Sequence, residues 1–262
     1  MRKIVDLTLL LSEDLPCAWP AHMPFKRTNW NWFKRVDSEA GCVLRNKYGA
    51  YHTGWMVIDE HTGTHFDAPS HYVPLPDSGL PHACESGRIT GDKVDISKML
   101  GDAVVVDISH LRDKGGMGTS PLFTKADMIA WEKENGGFSP GEIVVLYTGW
   151  ADFYKPGAEG EQYFLKPYQK TGGGWPTLDA ECVEYLYECG IKCIATDGAS
   201  VGAAENGIPS HIAGLAHEMA YIESLCNVDQ LPTRGATFIF LPLKIEGSSG
   251  GPGRAIAVLP EE

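Results

Sequence analysis

The sequence predicts an α/β protein: a single domain with a mixed β-sheet core and flanking helices. Three observations carry this. Strand-like apolar runs outnumber helical segments and mix with them along the whole chain. One run, 102–110 (DAVVVDISH), has a continuous apolar stretch at its centre, 103–106, as expected of a central strand covered on both faces. And 262 residues with 43% hydrophobic content can bury a sizeable core without covalent staples.

In order, 3–11 (KIVDLTLLL) reads as a first strand, and the proline-broken LPCAWPAHMPF after it as extended chain. The alternation of polar and aromatic residues in 29–36 (NWNWFKRV) suits a half-buried strand, and 54–61 (GWMVIDEH) suits another. Thr124 with Asp127 forms a capping-box pattern for a helix over KADMIAWEKEN that stops at Gly136. A strand follows at 142–150. The segment 177–190 (TLDAECVEYLYECG) predicts a helix capped by Thr177 and stopped by Gly190, with a strand at 191–197 after it. Residues 209–225 predict a short helix leading to an extended piece, and 236–247 and 254–260 predict closing strands. The stretch 154–176 (YKPGAEGEQYFLKPYQKTGGGWP) has no strong period, so a long loop or arm is expected at about 150–176, the kind of segment that often serves as a lid.

Charge and cysteine narrow the function classes. Lys and Arg number 22 against 34 Asp and Glu, a formal net charge of −12, which disfavours nucleic acid or an anionic membrane as partner. The seven cysteines (17, 42, 84, 182, 189, 193, 226) are odd in number and unpaired in spacing, so reduced thiols in a cytoplasmic protein are expected. The start MRKIVDLTLLLSEDLP is broken by Asp6 and reads as a strand rather than a signal peptide. No apolar run approaches the roughly 20 residues that span a bilayer.

The densest chemistry lies in 60–71, EHTGTHFDAPSH, which holds three of the nine histidines and an aspartate. On a helix His61 and His65 would share a face, but Asp67 would point away. On a flat strand His61 and Asp67 would lie on the order of 20 Å apart, too far for one ion. Gly63, the flanking threonines and Pro69 favour a break instead, so a hairpin-like reversal at Thr62-Gly63-Thr64 is expected to bring His61, His65 and Asp67 to one point. Two imidazoles and a carboxylate with open positions are the donor set of a catalytic site for Zn²⁺, or for Mn²⁺ where oxygen ligands dominate. His71 fits either a further ligand or a base; a fourth ligand would close the site, which favours the base.

The same stretch resembles the H-x-G-T-H-x-D-x-P-x-H signature of the cyclase-like metal-dependent hydrolases, which include bacterial kynurenine formamidase, isatin hydrolase and a trans-dienelactone hydrolase. Every fixed position is present. DLTLLLSEDLPCAWP, IATDGAS and LPLKIEGSSGGPGRAIAV resemble further family segments, leaving 150–176 the least similar. The resemblance implies a swivelling β/β/α fold, a metal site of His61, His65 and Asp67, and His71 as base. It implies a second metal held by a His and a Glu twelve residues apart and bridged by Asp67; His211 and Glu223 have that separation and are preferred, with His217, six before the glutamate, the alternative histidine in the segment. One or two divalent ions per chain, and a homodimer or homotetramer, follow from it as expectations. The extra length around 150–176 favours a cyclic amide or lactone over the aryl formamide of the formamidases.

The expected reaction is metal-assisted addition of water to a carbonyl, with His71 moving the proton. Trp19, Trp30, Trp32, Phe33 and Trp55, with Trp175, are candidate aromatic walls for a small planar substrate. Competing readings are ordinary core aromatics, a metal- or ligand-binding protein without turnover, and a serine esterase. The last is suggested by Gly198-Ala199-Ser200-Val201-Gly202, which fits G-x-S-x-G, but Glu205 and His211 follow too closely for the α/β-hydrolase order. No phosphate-binding loop is present.

Overall fold

The structure is a computed structural model and describes residues 2–32 and 51–261. Its elements in chain order are β1 (Ile4–Asp6), β2 (Lys26–Trp32), β3 (His52–Val57), β4 (His65–Asp67), β5 (Leu100–Asp107), β6 (Leu122–Phe123), α1 (Lys125–Asn135), β7 (Ile143–Tyr147), α2 (Leu165–Tyr168), β8 (Thr177–Leu178), α3 (Ala180–Glu188), β9 (Cys193–Thr196), α4 (Ile208–Leu215), β10 (Ala220–Glu223), β11 (Thr237–Pro242) and β12 (Gly250–Val258).

One mixed sheet dominates, in the order β1-β12-β11-β5-β7-β9-β10-β4, and β4 also pairs with β12. The sheet therefore closes on itself. The nine-residue β12 serves two partners on one edge: Gly250–Pro252 pair with β4 and Ile256–Val258 with β1. Strands β5, β7, β9 and β10 are parallel neighbours, and the remaining pairings in this sheet are antiparallel.

Period-two alternation explains why the parallel strands are apolar throughout. Ile143 and Val145 of β7 point into the core enclosed by the closed sheet, with Phe66, Ile222, Phe238 and Phe240. Val144 and Leu146 point the other way, against Met128 of α1, Leu186 of α3 and Leu215 of α4. Each such side chain, fully removed from water, contributes about 1.5–3 kcal/mol. The run 102–110 is the predicted doubly covered strand, with Ala103 to Val106 all buried.

The capping box at Thr124 and Asp127 is present, and Gly136 ends α1 at a φ of 86°. The third helix differs from expectation. Asp179, not Thr177, caps it by accepting from the Cys182 amide, because Thr177 is held in the short strand β8 beside β6. The first strand is three residues long rather than nine. Strand β2 starts earlier than expected, at Lys26, and residues 33–36 lie outside the described residues. The segment 150–176 is built from two 3₁₀ turns, Trp150–Phe153 and Gly157–Gln162, then α2. It folds back on a small core of Leu9, Trp150, Tyr163, Phe164, Trp175 and Ala199. No helix of the described residues is long and apolar enough to cross a membrane.

Candidate functional site

The chain reverses as the sequence requires. Gly63 takes a φ of +58°, a left-handed conformation that suits glycine, and its amide bonds Cys17 O at 2.7 Å. The reversal brings His61 Nδ1 to 2.8 Å from Asp67 Oδ1. The bend runs straight into strand β4, so His65 and Asp67 share one face by alternation while Phe66 enters the core. Strand β10 pairs with β4 so that Glu223 lies opposite His65. Helix α4, which comes after β9 in the chain, supplies His211.

Five side chains meet. His65 Nε2 is 3.5 Å from Asp67 Oδ1 and 3.6 Å from Glu223 Oε2. His211 Nε2 is 3.3 Å from Asp67 Oδ2 and 3.5 Å from Glu223 Oε1. Two sets, His61/His65/Asp67 and Asp67/His211/Glu223, each place one donor atom per residue within 4.8 Å of the others, all buried. Asp67 belongs to both, with Oδ1 toward the first and Oδ2 toward the second.

The surroundings fix which imidazole nitrogen is free. His65 Nδ1 bonds Gly63 O at 2.7 Å and His211 Nδ1 bonds Gly207 O at 2.7 Å. A carbonyl only accepts, so both rings carry hydrogen on Nδ1, which leaves Nε2 as the nitrogen each turns inward. His65 Nε2 and Asp67 Oδ2 are buried with no hydrogen-bond partner. Orphaned acceptors of this kind are costly unless a cation meets them. The donor set therefore fits a divalent metal.

The pKa values follow the crowding. Burial opposes charge on His211, but the Asp67 and Glu223 carboxylates facing its Nε2 outweigh it and raise the ring to about 10. His61 is also raised, the Asp67 carboxylate overcoming burial. Burial lowers His65. Burial would raise Asp67, yet the surrounding His71, His61 and His211 hold it well below the usual carboxylate range. His71 is pushed down to about 3, chiefly by burial, and is a neutral acceptor at pH 7.

His71 ends a 3₁₀ turn, Pro69–His71, and stacks on His61 with ring centroids 3.9 Å apart. Its Nε2 stands 4.0 Å from Asp67 Oδ2, and at 23% exposure its side chain is the most open of the cluster. The next residue, Tyr72, stacks on His211 at 4.0 Å. Adjacent residues of one turn thus brace a ring in each half of the cluster.

The four histidines of the cluster, Tyr72 and Glu223 line a cleft of about 200 Å³ with Trp19, His22, Trp175 and residues 202–204. That is below the roughly 300–1,000 Å³ usual for drug-sized ligands, so the occupant is small. A larger cavity of about 490 Å³ beside Arg112, Trp150 and Lys166 holds none of the clustered groups.

Of the expected aromatic walls, Trp19 and Trp175 line the cleft. Trp30 (56% exposed) and Trp55 (48% exposed) lie on the β2–β3 hairpin and do not line it. Trp32 is on β2, and Phe33 lies outside the described residues. His217 is exposed and stacks on Tyr187 at 4.2 Å, so His211 is the histidine that reaches the cluster. Ser200 is no free nucleophile: its hydroxyl donates to Glu223 Oε1 at 2.8 Å, and Val201 N bonds the same oxygen at 2.7 Å. His22, paired with Asp59 at 3.1 Å, and Tyr72 were not foreseen; only their nearness in sequence to Trp19 and His71 hinted at them.

The Cyclase family model, described as "Putative cyclase", matches residues 5–203. An isatin hydrolase from Roseibium aggregatum is 35% identical over 213 residues, covering 79% of this chain and 74% of that protein. A kynurenine formamidase from Erythrobacter litoralis is 28% identical over 97% of this chain and 93% of its own length. Among solved structures, isatin hydrolase A from Ralstonia solanacearum superposes with a TM-score of 0.76 at 26% identity, covering 99% of this chain and 92% of that one.

Proposed function

Because this chain belongs to the cyclase family, we propose that it is an isatin-hydrolase-like enzyme, a metal-dependent hydrolase that adds water to the carbonyl of a small cyclic amide or lactone. The observation that carries this reading is the pair of buried donor sets sharing Asp67, with His65 Nε2 and Asp67 Oδ2 turned inward and unpartnered.

His61, His65 and Asp67 would hold one divalent ion, Mn²⁺ or Zn²⁺, and Asp67, His211 and Glu223 would hold a second. When bound, such an ion supplies Lewis acidity, polarising the carbonyl and easing ionisation of water. The chain does the rest. Ser200 and Val201 N hold the Glu223 carboxylate in one orientation. Trp19 and Trp175, with ring centroids 5.7 Å apart, offer apolar faces to a planar ring. His71, neutral and open to the cleft, takes a proton at Nε2 from the adding water and returns it to the leaving nitrogen or oxygen. Water adds across the bond, the ring opens to a carboxylate and an amine or alcohol, and nothing is oxidised.

Aryl formamide hydrolysis is the second reading, favoured by formamidase relatives that align along nearly the whole chain. A cytoplasmic location is supported by six described cysteines that are all free. A homodimer or homotetramer is supported by the exposed Trp30, Trp55, Met56 and Val57 of the hairpin, more apolar surface than one short ribbon usually leaves to water.

The test is elemental analysis of the purified protein alongside turnover of isatin, N-formylkynurenine and a dienelactone. About one or two metals per chain are expected, with isatin turned over fastest and turnover lost on chelation. Full activity after thorough metal removal would overturn the proposal.

A further inference from the structure

Of the three histidines in the two donor sets, His61 is the one whose outward nitrogen is not tied to a backbone carbonyl. It is tied instead to a side-chain relay. His61 Nε2 lies 2.9 Å from Ser249 Oγ, and the Ser249 hydroxyl and amide both donate to Glu60 Oε2 at 2.7 Å. The carboxylate accepts only, so the hydroxyl hydrogen is committed to it. Ser249 Oγ then presents a lone pair to His61, which must carry its hydrogen on Nε2. That leaves the Nδ1 lone pair facing Asp67 Oδ1 at 2.8 Å, two acceptors that only a proton or a cation reconciles.

We propose that Glu60 and Ser249 are positioning residues that select the metal-binding face of His61. They do for this ring what Gly63 O and Gly207 O do for His65 and His211. The inference rests on the metal-hydrolase reading and deepens it. Ser249 is itself fixed from two sides. Its carbonyl accepts from Ala68 N at 2.9 Å, and the next residue, Gly250, pairs with Asp67 across β4 and β12. Gly250 must lack a side chain, since a Cβ there would meet His61 Cε1 at 2.8 Å and Phe66 O at 2.3 Å. The start of β12 is therefore shaped to the imidazole that it holds.

The test compares Ser249→Ala and Ser249→Thr with the wild type. Zn²⁺ affinity, read by competition with a chelator, should fall about 10–100-fold in Ser249→Ala, the usual effect of losing a group that orients a metal-bound histidine. Ser249→Thr keeps the hydroxyl and should restore most of it. In the Zn²⁺-loaded protein, ¹⁵N NMR should show an exchange-protected His61 Nε2–H in the wild type and in Ser249→Thr, and lose it in Ser249→Ala. If the wild type binds Zn²⁺ and Ser249→Ala binds it equally tightly with the Nε2–H signal intact, the relay is wrong and the hydrolase reading stands. If the wild type binds no Zn²⁺ or other divalent ion, both fall.

Discussion

The two halves of the candidate metal centre are assembled in different ways. His61, His65 and Asp67 come from seven consecutive residues and one glycine-allowed bend. Their partners His211 and Glu223 come from a helix and a strand that the closed sheet delivers from far along the chain. The first half depends mainly on local backbone geometry and the second on tertiary packing. Asp67 alone belongs to both, so damage there should spread furthest.

Asp67→Ala is expected to have the largest effect, removing tight metal binding at both positions and with it all metal-dependent hydrolysis; retention of one tightly bound ion would break the picture of a shared carboxylate. His71→Ala comes next. It should lower kcat by about 10²–10⁴-fold with metal content unchanged, as loss of a general acid–base does, and wild-type turnover would remove His71 from the chemistry. Ser200→Ala sharpens the comparison at the second half. Glu223 keeps its bond from Val201 N, so metal affinity there should weaken by no more than about 10–100-fold, whereas complete inactivity with full metal content would restore the nucleophile reading.

The smallest effect is a pH dependence. In the metal-free protein His211 is raised to about 10, so its contribution to stability is complete below the ordinary histidine pKa of about 6.5 and is lost as pH rises toward 10. His71 is lowered to about 3, so the stability tied to its neutral form is complete above about 6.5 and is lost as pH falls toward 3. Thermal melts without metal should therefore peak near neutrality. The stabilisation gained on adding metal should grow from about pH 6 to 9, because ligation needs deprotonated rings; a gain that shrinks over that range would contradict the assignment.

The same local-against-tertiary contrast explains what was legible in the sequence. Eleven residues displayed His61, His65, Asp67 and His71 because one bend collects them. His211 and Glu223 were found through resemblance, since nothing in their spacing tells of a strand pairing that sets Glu223 opposite His65. Glu60 and Ser249, 189 residues apart, left no mark at all. The order of the longer strands and helices was readable from apolar periodicity, down to the Thr124 capping box, whereas the short β6, β8 and α2 were not. The closure of the sheet was not, because β4 is three residues long and carries polar ligands where a strand normally carries hydrophobes. Trp150, Tyr163, Phe164 and Trp175 pack a core without a period because 3₁₀ turns and a four-residue helix are too short to repeat one.

Strand β4 has a further consequence. It is the seam of the molecule, the only piece joining β10 to β12 in the described sheet, and it is the piece that carries two of the metal-facing side chains. An ion held by Asp67 of β4 and Glu223 of β10 would tie those two strands together through their side chains as well as supply Lewis acidity in the cleft. A chain stripped of metal is expected to come apart first along that join, where the backbone pairing of β4 alone would hold β10 to β12.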